Sequence, residues 1–126
     1  MSIADGLKSL QTDFEACQIA AYADLSTKMV LSSSSDSPVP QEQLDQLCAK
    51  AATVMNGVSG QAVAAMLSSS QEARIDEVVS LHGADTYFMV RSATDPDEAI
   101  CCLCSQDVDV SAFSAAVKAK LAGIEE

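Results

Sequence analysis

The chain has no tryptophan, and two tyrosines and three phenylalanines hold its aromatic content to 4% of 126 residues. Its core must therefore rest on aliphatic residues, alanine, methionine and cysteine, whose small side chains bring elements close together. Basic residues are scarce as well: seven lysines and arginines face eighteen aspartates and glutamates, for a formal charge of -11. Such a surface repels phosphate backbones and anionic lipid, which argues against nucleic acid and membrane partners and for a protein carrying a basic patch. The acid also serves simply to keep the chain soluble. No apolar run approaches the roughly 20 residues that span a bilayer. The opening MSIADGLKSLQTDF lacks a basic start and an apolar run, so no secretory leader is expected. Five cysteines, an odd number, then point to a reducing cytoplasm.

The length suits one domain over residues 1–126, large enough to bury about two thirds of its unfolded surface. Residues 2–15 carry a helical pattern, with Ser2 placed to cap it, Asp5 following as in a capping box, and Ile3, Leu7, Leu10 and Phe14 on one face. CQIAAYAD alternates like a strand, and Cys17 shares a face with Ile19, Ala21 and Ala23. Leu25 to Lys28 form a turn, and Met29, Val30 and Leu31 begin a second strand that fades into the serines Ser32–Ser35, as an edge strand can. Pro38 and Pro40 break the chain in DSPVP.

Residues 41–68 hold the longest pattern. Leu44, Leu47, Cys48, Ala51, Val54, Met55, Val58, Ala62, Ala65 and Met66 share a stripe about 120° wide. The stripe stays in phase across Gly57 and Gly60, which predicts one long helix in spite of a cost of about 1 kcal/mol for each glycine. Ala49, Ala52, Val63 and Leu67 form a second flank, so apolar surface remains after the sheet is covered. IDEVVSLHG, TYFMVRS and AICCLCSQ then read as three strands joined by turns at GAD and DPDE. Asp109 or Ser111 caps a last helix bearing Val110, Phe113, Val117, Leu121 and Ile124. The predicted fold is α+β: a five-stranded antiparallel sheet covered by helices, in the order α-β-β-α-β-β-β-α.

The hairpin AAYADLSTKMVLSSS, the long helix after it, and the hairpin DEVVSLHGADTYFMVRS followed by AICCLCSQ together resemble the Roadblock/dynein light-chain family over nearly the whole chain. Profilin-like and sensor-type folds share similar sheets. The resemblance implies homodimers or heterodimers formed through the long helix and the third strand, with two sheets joining into one. It also implies a noncatalytic platform or regulator for small Ras-like GTPases, since some bacterial members stimulate GTP hydrolysis by a partner. No cofactor is implied. On this chain the dimer surface would use Ala49, Ala52, Gly60, Val63, Leu67, Ile75, Glu77 and Val79. Two other functions compete: a small-ligand sensor of profilin-like topology, which needs an internal cavity with polar groups, and a thiol-redox protein.

Three thiols crowd AICCLCSQD. On a strand, Cys102 and Cys104 face one way with Ile100, while Cys101 and Leu103 face the other. That alternation, the absence of any CxxC pair and the distance of His82 in sequence argue against a tetrahedral zinc site. If the first and last strands are central neighbours, Cys17 approaches Cys104 as a conceivable redox pair, but buried cysteines packing as small hydrophobes are the stronger expectation. His82 beside Gly83 reads as an exposed turn residue, because no nucleophile in a strained elbow accompanies it. Asp95, Asp97 and Glu98 lack the glycine and distal glutamate of a calcium loop and read as solvated turn charge. Arg74 and Arg91 are the candidates for an inserted arginine, though both read more simply as surface residues.

Overall fold

The computed structural model describes residues 2–56 and 76–125. In chain order these form α1 (Ile3–Asp13), β1 (Cys17–Asp24), β2 (Met29–Ser35), α2 (Gln41–Asn56), β3 (Glu77–His82), β4 (Asp85–Arg91), β5 (Glu98–Ser105) and α3 (Val110–Glu125). The element order and the antiparallel five-stranded sheet are those predicted. The continuation of α2 across Gly57 and Gly60 falls outside the described residues.

The sheet runs β2-β1-β5-β4-β3. First and last strands are thus neighbours at its centre, which explains why β1 and β5 are buried along almost their whole length. One face carries α1 and α3. There Leu7, Leu10, Tyr22, Phe88, Ile100, Cys102, Cys104, Phe113, Val117 and Leu121 form one core. Phe113 sits in the middle, 5.0 Å from Phe14 and 4.6 Å from Phe88 between ring centroids. The other face carries α2, whose Leu44, Leu47, Ala51, Ala52 and Met55 cover Ile19, Ala21, Met89, Cys101 and Leu103.

Local chemistry sets the ends. The Ser2 hydroxyl accepts the Asp5 backbone N–H at 3.1 Å and caps α1. The Asp109 carboxylate accepts from Ala112 N at 3.1 Å and caps α3, which selects Asp109 over Ser111. In the β1–β2 turn, Asp24 Oδ1 accepts from Ser26 N, Ser26 Oγ and Thr27 N at 2.9, 2.6 and 3.2 Å. These bonds, that from the Ser26 hydroxyl foremost, hold its carboxyl below the usual range. The β3–β4 hairpin turns on Gly83 at φ +63°, a conformation open to glycine without steric cost.

Three local expectations are corrected. The serines do not leave the strand: Ser32, Ser33, Ser34 and Ser35 pair with Tyr22, Ala21, Ala20 and Ile19. An edge strand with one side open to water accepts small polar residues, and the Ser34 hydroxyl donates to Gln11 Oε1. Cys17 does not share the face of Ile19. A bulge between Cys17 and Ile19 turns it onto the α1/α3 face, beside Cys102 and Cys104. Glu98 is not solvated turn charge: it opens β5, and its Oε1 accepts the Tyr22 hydroxyl at 2.6 Å.

Candidate interaction surface

Among the described residues β3 ends the sheet, paired with β4 on one side. Val79 and Leu81 lie two residues apart and so share one strand face. Their cross-strand partners Phe88 and Thr86 place that face on the α3 side of the sheet. Leu81 is 75% exposed and Val79 38%. Glu77 shares the face and receives Lys118 Nζ of α3 at 2.6 Å. That bond holds the Glu77 carboxyl below its ordinary range. The edge is therefore apolar toward its hairpin end and ion-paired at its start. Sequence reasoning named Glu77 and Val79 but passed over Leu81, although the period-2 spacing from Val79 marked it.

On α2, Ala49 is half-buried, whereas Ala52 is 6% exposed and packs into the chain's own core, so it offers little surface to a second copy. Gly60, Val63, Leu67 and Ile75 lie outside the described residues. Beside α2 a groove of about 400 Å³ opens to solvent, lined by Pro40, Gln43, Leu47, Lys50, Tyr87 and Leu103. Lys50 Nζ stands 4.0 Å from the Tyr87 ring centroid, a cation–π contact that fixes one wall. This space is a surface groove, whereas the sensor alternative calls for an enclosed cavity.

Arg91 is not a surface residue, and the structure corrects that expectation. It lies at the end of β4 with its side chain 3% exposed. Its guanidinium donates to Pro96 O at 2.6 Å and to Met55 O at 3.3 Å, and Nε stands 3.6 Å from Asp76 Oδ1. One side chain thus ties the last turn of α2, the β4–β5 turn and the residue before β3. The clue in sequence is its place in TYFMVRS, where alternation puts it on the inward face with Met89. Arg74 lies outside the described residues.

All five cysteines are buried and free. Cys101 lies on the α2 face, where burial pushes its thiol up to about 12, and burial raises Cys48 as well. Cys17, Cys102 and Cys104 lie together on the opposite face. His82 is exposed at the end of β3. Asp95 Oδ1 accepts Asp97 N at 3.0 Å, and Ser92 Oγ accepts Asp95 N at 3.1 Å, so the DPDE acids build their own turn. Among the described residues no group of three histidine, cysteine or acidic side chains could hold a metal ion. None of their helices is long and apolar enough to cross a membrane.

Comparison with solved structures identifies this architecture as the Roadblock/LC7 fold. The Roadblock/LC7 domain from Streptomyces avermitilis matches with a TM-score of 0.77 at 10% identity, over 99% of this chain and 96% of that one. The gliding protein MglB from Thermus thermophilus matches at 0.76 and 19% identity, over 95% and 83%. Myxococcus xanthus MglB matches at 0.73 and 12%, over 95% and 89%. No protein-family model matches the chain, and no curated protein does.

Proposed function

We propose that this chain is a noncatalytic, cytoplasmic dimerisation module that scaffolds or regulates a small Ras-like GTPase. Two copies join through the β3 edge and the outer flank of α2, and the combined surface presents a symmetric platform to the partner. The observation that carries this reading is Leu81, 75% exposed beside Val79 on an edge strand. The fold shared with a gliding protein and with Roadblock/LC7 domains supports it. The formal charge of -11 favours a partner with a basic face and speeds the encounter.

Light scattering on the intact chain at tens of micromolar tests the dimer. Twice the chain mass is expected, with Leu81→Lys shifting the population to monomer while its circular dichroism stays unchanged. A strict monomer for the parent chain refutes the platform. Capture by immobilised Ras-like GTPase, loaded in turn with GDP and a GTP analogue, tests the second half. Equal retention on both loaded forms and on bare resin refutes the regulatory role.

A further inference from the structure

The bulge in β1 has a chemical consequence. In a regular strand Cys17 would face α2 with Ile19. The extra residue, Gln18, turns it over, so that Cys17 becomes the ladder partner of Cys104 on the α1/α3 face, with Cys102 two residues along the same strand. Directly paired residues of an antiparallel ladder hold their Cα atoms about 4.5–5.5 Å apart. That separation lies inside the roughly 4.4–6.8 Å a disulfide accepts. Cys17 is 2% exposed, yet it forms part of the wall of a groove open to solvent between α1 and β2, beside Lys8, Gln11, Ser34 and Asp36. The groove is open to solvent, so small solutes reach that wall. On the same face, Thr86 is the ladder partner of Cys104 and carries a buried hydroxyl without a hydrogen-bond partner.

We propose that Cys17 and Cys104 are a peroxide-responsive thiol pair that closes to a cross-strand disulfide at the centre of the sheet. Cys17 is the attacking sulfur. As a thiol it donates to Ile19 O at 3.7 Å. As a thiolate it accepts the S–H groups of Cys102 and Cys104, which lower its pKa while theirs rise. The thiolate attacks one oxygen of hydrogen peroxide, the O–O bond breaks, and hydroxide leaves, giving a sulfenic acid on Cys17. Cys104 sulfur then attacks the Cys17 sulfur, and the sulfenic oxygen departs as water with the Cys104 proton. Two thiols are oxidised and one peroxide is reduced to two waters. A small thiol such as glutathione reopens the bridge by exchange.

The test is a timed exposure of the reduced, full-length chain to hydrogen peroxide, followed by unfolding, alkylation and peptide mass mapping. The expected result is a linked pair of peptides containing Cys17 and Cys104, with Cys17 losing its alkylatable thiol about tenfold faster than Cys48. Cys104→Ser should leave a sulfenic acid on Cys17 that a cyclic diketone probe captures, and Cys48→Ser should change nothing. Since mapping of the parent chain needs no substitution, a variant that fails to fold does not block the test. Five thiols still alkylatable, oxidation confined to Met29, or a bridge from Cys17 to Cys102 would each overturn the assignment.

Discussion

Replacing Arg91 by alanine removes a buried guanidinium that donates to Pro96 O at 2.6 Å and to Met55 O at 3.3 Å. Hydrogen bonds made by a charged donor contribute about 1.5–3 kcal/mol each. Part of that is offset, because the charge no longer has to be desolvated. The third partner, Asp76, has a side chain 68% exposed, so its ion pair adds less than about 1 kcal/mol. The Arg91 stem also packs against the core, and its loss adds to the cost. The net expectation is a destabilisation of about 3 kcal/mol.

Urea unfolding followed by circular dichroism reads this directly. With an m-value of about 1.5 kcal/mol/M, the midpoint should fall by about 2 M while m holds steady. Arg91→Lys keeps the charge but loses the planar fork, and should recover part of the loss. Asp76→Ala should move the midpoint by less than about a third as much. If Arg91→Ala unfolds within about 1 kcal/mol of the parent, Arg91 is not the tie between α2, the β4–β5 turn and the approach to β3. An arginine inserted into a partner's active site would give that opposite pattern: stability unchanged, and a defect confined to the partner's turnover.

Two further outcomes follow from the same geometry. Phe113→Ala removes the ring that touches both Phe14 and Phe88, and should cost about 3–5 kcal/mol by thermal or denaturant unfolding, with Phe113→Leu markedly milder. The Glu77 carboxyl is held below its ordinary 4.5 by Lys118, so its contribution is complete above that pH and is lost as pH falls through the lowered value. Glu77→Gln should therefore be less stable than the parent by under about 1 kcal/mol at neutral pH, with the gap closing in acid; a gap that persists at pH 3 would mean the contact is not ionic.

The element order was legible because each boundary carried its own chemistry: Ser2 and Asp109 as caps, Pro38 and Pro40 as breaks, Gly83 as a turn. The cysteine-rich strand was legible from period 2 alone, which sorted Cys101 from Cys102 and Cys104. What alternation could not show was an interruption of alternation. The bulge after Cys17 leaves no trace in residue type, since Gln18 is unremarkable in a strand. Arg91 failed for a related reason. Its charge suggested water, but whether a guanidinium can be buried depends on two carbonyls and a carboxylate brought from three separate segments, and their convergence is a property of the fold. Leu81 was visible in the pattern, but exposure is decided by which strand ends the sheet.

The placement of cations bears on how so acidic a chain could meet its own copy. Two molecules of charge -11 repel, and an edge bristling with carboxylates would be a poor meeting place. Yet both acids at the start of β3 are matched: Asp76 stands against Arg91, and Glu77 against Lys118. Two of the chain's seven basic residues thus stand at one strand end, while Val79, Ser80 and Leu81 carry the strand onward without charge. The opposite edge, β2, has a different character. Four serines occupy it, and its exposed Met29 and Leu31 are crowded at one end. Local neutralisation and apolar exposure coincide on β3, and that coincidence is why the self-association surface is proposed there and not on β2.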